Sequence, residues 1–111
     1  MSPRLKTEIW IQAMFRQLGT TNHSAVLVRR GDRDAGRVMI TLCDLRNKMM
    51  VLQQVNNSEG ELVWRRGTGN EPVTAQEADI YLKRHIERDP DLWIIEVETR
   101  DFSLPFEGIL I

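Results

Sequence analysis

The sequence is poor in the features that mark secreted and membrane proteins. Its 111 residues include one cysteine, Cys43, so no intrachain disulfide can form, and a lone thiol fits a reducing compartment. Because Cys43 lies in an alternating apolar run, we expect an inert, buried thiol. The apolar run Ile9-Trp10-Ile11 ends at Gln12, whereas a secretory signal needs about 7–15 apolar residues and a membrane span about 20. We therefore expect a cytoplasmic protein with no membrane partner.

A strong net charge is also missing, because 15 basic and 16 acidic side chains leave the chain at -1. Such a chain creates no long-range field that would concentrate a polyanion or an anionic membrane. Apolar residues make up 41% of the sequence, which is enough for an ordinary globular core. The length, together with the lack of a linker, predicts one domain over residues 1–111.

What the sequence does contain is a succession of helix and strand patterns. In Leu5–Leu18 the apolar residues recur at helical spacing, which predicts the first helix. Four apolar or alternating segments with short loops between them then predict an antiparallel meander. These predicted strands are Ala25–Arg30, Arg37–Cys43, Met49–Val55 and Glu61–Arg65.

The stretch from Thr74 to Glu98 predicts a second helix, its end and a final strand. Thr74 followed by Glu77 is the capping-box arrangement, and Asp89-Pro90 ends the helix because the residue before proline avoids the α region. Leu92–Val97 is the last strand. We therefore predict an α+β fold: an antiparallel sheet of about five strands with two helices packed on one face, in the order α-β-β-β-β-α-β.

Three segments of the chain resemble a known family. They are L-K-T-E-I-W-I-Q-A-M-F-R-Q, V-R-R-G-D-R-D-A-G-R-V and R-D-P-D-L-W-I-I-E-V-E, and the likeness extends from about Arg4 to Arg100. On these segments the chain resembles domain of unknown function family 1491, a family of small, chiefly alphaproteobacterial proteins. The resemblance implies a small stand-alone cytoplasmic protein. It implies no activity, cofactor or catalytic residue that can be transferred.

An acidic pattern near the C-terminus raises the possibility of an enzyme. Pro90-Asp91 followed by Glu96 and Glu98 is similar to the Pro-Asp, acidic-x-lysine pattern of metal-dependent nucleases, and carboxylates are the ligands that Mg²⁺ prefers. Glu98 stands where that pattern has lysine, and the gap before Glu96 is short. A turn followed by the solvent side of a strand explains the same residues. A metal-dependent hydrolase or nuclease using Asp91, Glu96 and Glu98 therefore stays as the alternative function.

A second metal hypothesis rests on His85, Asp89 and Asp91, which follow one another closely. His85 also lies on the apolar stripe of the second helix beside Tyr81 and Leu82, and this favours a histidine packed at the edge of the core. A zinc site needs more ligands than the histidines and the one cysteine offer. On balance the residues favour a non-enzymatic protein without a cofactor.

Arginine pairs suggest weak nucleic-acid binding as another alternative, through Arg29, Arg30 and Arg37. In a meander, Arg65 and Arg66 would lie at the opposite end of the sheet. Two small clusters near acidic residues are poor sites for counterion release, and a single basic stripe with stacking aromatics would be the stronger signal. We therefore do not expect nucleic acid to be a partner.

The C-terminal tail, residues 101–111, is too apolar for a free end. Its large apolar residues are Phe102, Leu104, Phe106, Ile109, Leu110 and Ile111. Leaving such side chains in water would forgo about 1.5–3 kcal/mol each, so we expect the tail to dock on its own domain or on a neighbouring copy. The leading hypothesis is therefore a non-enzymatic protein-interaction or self-association module, with a homodimer or another protein as the expected partner.

Overall fold

The structure is a computed structural model that describes residues 6–111. Its helices and strands follow one another along the chain in nearly the predicted order, and the α+β class is confirmed. The elements are α1 (Thr7–Thr20), β1 (Ala25–Arg29), β2 (Val38–Cys43), β3 (Lys48–Asn56), β4 (Leu62–Arg66), β5 (Val73–Thr74), α2 (Ala75–Arg88) and β6 (Trp93–Glu98). The predicted start of the first helix at Leu5 lies outside the described residues.

The helix α2 begins and ends where its sequence signals predict. The Thr74 side chain accepts a hydrogen bond from the Glu77 backbone N–H at 3.1 Å, and the Glu77 carboxylate accepts one from the Thr74 backbone N–H at 3.3 Å. The helix stops at Arg88, before Asp89 and Pro90. Just before the cap, Val73 and Thr74 form the short strand β5, which pairs with the start of β3. The sequence prediction missed this strand because two residues show no alternation.

The sheet is mixed rather than antiparallel, with the strand order β1-β6-β2-β3-β4. The last strand, β6, lies between β1 and β2; it is antiparallel to β1 and parallel to β2. The predicted meander is therefore wrong at its first step, because β1 and β2 are not neighbours. The physical reason is the composition of β6: Trp93, Ile94 and Ile95 are all buried, so this strand needs cover on both faces and belongs in the interior of the sheet.

The two helices lie on opposite faces of the sheet, which corrects the prediction that both pack on one face. Ile11, Met14 and Leu18 of α1 join the core cluster that contains Ile40 and Leu42. On the other face, α2 is anchored by Ala78, which is buried with three strand residues. These are Met39, Val51 and Ile94. Neighbouring residues of β2 point to opposite faces and are buried on both, so each face requires its own helix.

The tail runs along the outer edge of β4. Phe106 is only 8% exposed and makes edge-to-face contacts with Trp10 and Trp64, with ring centroids 6.0 and 5.4 Å away. The Trp64 N–H donates to the Ile109 carbonyl oxygen and the Ile111 N–H donates to the Trp64 carbonyl oxygen, both at 2.8 Å. The tail thus pairs with the backbone of β4 at that edge.

Candidate functional site

At the opposite end of the sheet, β1 forms an edge that is apolar and open. Val26, Leu27 and Val28 are 56%, 39% and 56% exposed. On one side β1 pairs with β6, as in the register of Leu27 with Ile95. Within residues 6–111, nothing pairs with its other side. The register shifts between Leu27 and Arg29, so a β-bulge at Val28 ends the regular part of this edge.

Arg29 and Arg30, the candidates for binding nucleic acid, are engaged within the chain. Arg29 donates to the Leu92 carbonyl oxygen at 3.2 Å. Arg30 lies 5.5 Å from the centroid of the Trp93 ring and donates to the Glu8 carboxylate at 3.3 Å. The third candidate, Arg37, lies instead at a pocket beside α2. Arg29 and Arg30 are therefore already engaged by groups of the chain itself, which weakens the case for nucleic-acid binding.

The candidate catalytic carboxylates lie at the two ends of β6. Asp91 precedes the strand, and its backbone N–H donates to the Asp89 carboxylate at 3.1 Å, which is turn chemistry. Glu96 pairs with Thr41 and Glu98 with Cys43 at the far end. Five residues of extended chain span about 16 Å, which is too far for Asp91 and Glu96 to share one metal ion. Among the described residues, no three His, Cys, Asp or Glu side chains are arranged to hold a metal.

Cys43 lies in an environment that keeps its thiol protonated. Burial raises its pKa above the ordinary value, and the nearby carboxylates of Glu96, Asp44 and Glu98 raise it further. Since the thiolate is the reactive form, this cysteine is a poor nucleophile. The raised pKa agrees with the inert thiol expected from the sequence, but Cys43 is half-buried rather than buried.

His85 and Asp89, two of the candidate metal ligands, lie together at a pocket of about 210 Å³ between α2 and the sheet. The pocket is lined by Arg37, Val38, Met39, Gln53, Gln54, His85, Asp89 and Leu92. The His85 ring packs against Tyr81 at a centroid distance of 4.5 Å. Burial lowers the pKa of His85, and the positive charges of Arg88 and Arg65 lower it further. The imidazole is therefore neutral at pH 7.

Arg65 lies at this pocket because of the register of the sheet, and sequence reasoning missed it. Met39 pairs with Gln53, and Gln53 pairs with Arg65, so the three side chains form one row across three strands. The prediction that Arg65 lies at the opposite end from Arg37 is wrong, because β4 pairs only with the second half of β3. The polar pair Gln53 and Gln54 after the apolar run of residues 49–52 was the sequence signal at this position.

A larger pocket of about 650 Å³ lies between the start of α1 and the ends of β2, β3 and β4. Trp10 and Leu62 supply its main apolar walls. Of its charged side chains, Lys6 and Asp34 pair with each other at 3.7 Å. This pocket therefore offers mainly apolar surface, and Arg37, which also lines the pocket beside α2, is its charged side chain without an ion pair among residues 6–111.

Comparisons with known proteins give a family and a fold. The model of the family DUF1491, described as a protein of unknown function, matches residues 5–107. The crystal structure of a DUF1491 family protein from Caulobacter crescentus CB15 is similar, with a TM-score of 0.85 and 27% identity over 97% of this chain and 100% of that chain. An NMR structure of a DUF1491 family protein from the same organism gives a TM-score of 0.82 and 26% identity, covering 99% of both chains.

A more distant neighbour extends the likeness in fold. The solution structure of protein Atu0922 from A. tumefaciens has a TM-score of 0.80 at 20% identity, covering 98% of both chains. No curated protein matches the chain. In residues 6–111, no helix is long and apolar enough to cross a membrane. The resemblance predicted from the sequence is confirmed by the family match.

Proposed function

The chain belongs to the DUF1491 family, and from the geometry of its sheet we propose that it is a non-enzymatic protein-interaction module that self-associates through the β1 edge. The observation that carries this proposal is the exposure of three consecutive apolar residues, Val26, Leu27 and Val28, on an unpaired edge strand. An edge of this kind presents free backbone N–H and C=O groups and readily accepts another strand.

The contrast between the two edges of the sheet supports β1 as the interaction surface. The β4 edge is covered by the chain's own tail through the two backbone hydrogen bonds of Trp64. Four of the tail's apolar residues pack against the core in the same chain. They are Phe102, Leu104, Phe106 and Leu110. The tail thus leaves less apolar surface for a partner than the sequence suggested.

A second copy of the same chain is the partner that this edge fits. In an antiparallel pair related by a two-fold axis, the apolar middle of one β1 lies opposite the apolar middle of the other. Val26 and Leu27 point to opposite faces of the sheet, so the interface between the two β1 strands would gain apolar contacts on both faces. The two sheets would then continue as one.

The size of the contact predicts a weak association. The strand has five residues, and the bulge at Val28 shortens its regular part. A stable interface buries about 1,200–2,000 Å², which one short strand pair does not reach without its flanking side chains. We therefore expect a dimer that forms at high protein concentration and dissociates on dilution.

The test is sedimentation velocity over a micromolar to millimolar concentration range with Val26→Lys. A lysine on an edge strand resists pairing, and Val26 is exposed enough for the monomer to stay folded. Leu45→Lys is the matched control, because Leu45 is 75% exposed in the turn after β2. We expect the wild type and the Leu45 variant to dimerise and the Val26 variant to remain monomeric.

Two results would contradict the proposal. One is a wild-type chain that stays monomeric at millimolar concentration. The other is a dimer that survives Val26→Lys but is lost in Ile111→Lys, which would move the interface to the tail edge. Hydrogen exchange of the β1 amides gives an independent readout, since their protection should rise with protein concentration.

A further inference from the structure

We propose that the pocket between the last turn of α2 and the sheet binds a small oxyanion, the phosphoryl or carboxylate group of a small molecule. We call it the His85 pocket: its walls are Arg37, Gln53, His85 and Asp89 with their apolar neighbours. Arg65, which donates to Gln53, marks its rim, and Arg88 follows His85 by three residues on α2. This site is separate from the β1 edge and does not depend on self-association.

Charge is the first support for an anionic ligand. Arg37, which precedes β2, lines the pocket, and Arg65 of β4 donates to the wall residue Gln53. The positive charges of Arg65 and Arg88 act on His85. Within residues 6–111, none of these three arginines forms an ion pair. The one carboxylate in the wall is Asp89, and its Oδ1 atom accepts a hydrogen bond from the Asp91 backbone N–H. The pocket therefore carries an excess of positive charge.

Hydrogen-bond donors are the second support. Arg65 donates from Nη2 to Oε1 of Gln53 at 2.5 Å. Because arginine can only donate, the Gln53 atom beside it must be the oxygen, and the Gln53 amide NH₂ is left as a donor. Within residues 6–111, no protein group accepts a hydrogen bond from this NH₂ group or from the His85 ring, whose neutral form has one N–H to donate. Free donors beside uncompensated cations are the chemistry that recognises an oxyanion.

The size of the pocket limits the ligand. Sites for drug-sized or cofactor-sized molecules measure about 300–1,000 Å³, and this pocket measures about 210 Å³. It can enclose a single anionic group, while the rest of a larger molecule would remain outside. An oxyanion is therefore a better fit than a whole nucleotide.

The lowered pKa of His85 also supports an anionic ligand, and the His85 ring can report binding of that ligand. The charged groups around it are Arg88 of α2, Asp89 just after that helix, Arg65 of β4 and Arg37 just before β2, while β3 contributes only the neutral Gln53 and Gln54. Burial and the positive charges of Arg88 and Arg65 lower the His85 pKa. A bound anion would neutralise part of that positive charge, so it should raise the His85 pKa towards the ordinary value of about 6.5.

The experiment is a proton–carbon NMR titration of the His85 ring with inorganic phosphate, and separately with acetate, at constant ionic strength. We expect a saturable shift of the His85 signal and a rise in its pKa with at least one of the two anions. Saturation by phosphate identifies a phosphoryl ligand, and saturation by acetate identifies a carboxylate ligand. Sodium chloride at the same ionic strength should not reproduce the effect.

Substitutions test whether the anion binds in the His85 pocket. Arg65→Gln removes one charge at the rim and should weaken binding by about tenfold or more, since a charge-assisted hydrogen bond is lost. Arg46→Gln is the matched control, because Arg46 lies in the turn between β2 and β3 and should leave binding unchanged. Asp89→Asn removes the only wall carboxylate and should tighten binding several-fold.

The proposal is overturned if neither anion shifts the His85 signal to saturation. It is also overturned if chloride has the same effect, or if Arg65→Gln and Arg46→Gln alter the titration equally. The remaining backbone signals of each variant verify that the fold is intact, so a lost titration cannot be mistaken for unfolding.

Discussion

His85 shows how one residue can serve both packing and chemistry. Its position on the apolar stripe of α2 predicted a histidine at the core edge, and its ring does lie against Tyr81. Arg88 follows His85 by three residues on the same helix, so the sequence predicts that they are neighbours. Arg65 beside His85 was not predictable, since it lies on a strand whose register the sequence does not state. At this scale, side-chain type and helix face can be predicted, whereas the neighbours across the sheet cannot.

The lowered pKa of His85 predicts how stability depends on pH. The unfolded imidazole takes up a proton near pH 6.5, while the folded one does so only at lower pH. The unfolded state therefore binds more protons in this window, and the free energy of unfolding should fall as the pH drops below about 6.5. Above pH 7 this contribution is constant.

Urea denaturation at a series of pH values tests this dependence with His85→Gln. We expect the variant to lose less stability than the wild type between about pH 6.5 and pH 5, a range above the ordinary pKa values of the carboxylates. Parallel curves for the two proteins in that range would contradict the prediction.

The loop between β1 and β2 is constrained by the segment that enters β6, against which it packs. Gly31 and Gly36 bracket the loop, and the local pattern alone does not explain why both are glycine. In the structure the loop lies against the chain entering β6, and a Cβ atom at either glycine would overlap the Asp91 carbonyl oxygen. The Asp32 N–H also donates to that oxygen at 2.9 Å. The insertion of β6 thus imposes a constraint that local pattern does not reveal.

Gly36→Ala should therefore lower the free energy of unfolding by about 2 kcal/mol or more, because backbone atoms must move to make room. Gly19 in α1 is the matched control, since a Cβ there meets nothing within 4 Å. Gly19→Ala should raise stability by about 0.5–1 kcal/mol, because alanine is favoured over glycine in a helix. Urea denaturation measures both free energies of unfolding. Equal effects of the two substitutions would show that the closeness of Gly36 to the Asp91 carbonyl oxygen does not affect stability.

Across the whole molecule, the sequence predicted the elements better than their arrangement. The capping box, the proline stop and the alternation of β2 and β3 are local signals, and the corresponding elements are confirmed within a few residues. Strand neighbours depend on interactions between distant segments, so the mixed sheet and the opposite placement of the helices had to come from the structure. The same holds for the His85 pocket, which combines side chains from β2, β3, β4 and α2.

The tail makes a testable contribution to the stability of the whole molecule. Phe106 is buried between Trp10 and Trp64, so Phe106→Ala should cost about 3 kcal/mol, in the range for a large aromatic side chain removed from a core. Ile109 is 49% exposed in the same tail, and Ile109→Ala should change stability by less than about 0.5 kcal/mol. Thermal or urea unfolding compares the two.

A Phe106→Ala protein as stable as the wild type would mean that the tail does not contribute to this core. If the loss of stability appeared only at concentrations where dimers form, Phe106 would instead be packing against a neighbouring copy. The comparison with Ile109→Ala separates either outcome from a general effect of shortening side chains in the tail.

The position of β6 between β1 and β2 also determines the order in which the sheet can be completed during synthesis. Strand β1 emerges from the ribosome well before β6, the strand that pairs with it, because β2, β3, β4, β5 and α2 lie between them in the sequence. Pairs between segments so distant in sequence raise the contact order and slow folding. Until β6 arrives, the apolar β1 segment of the nascent chain has no partner of its own and is open to aggregation with other unfinished chains.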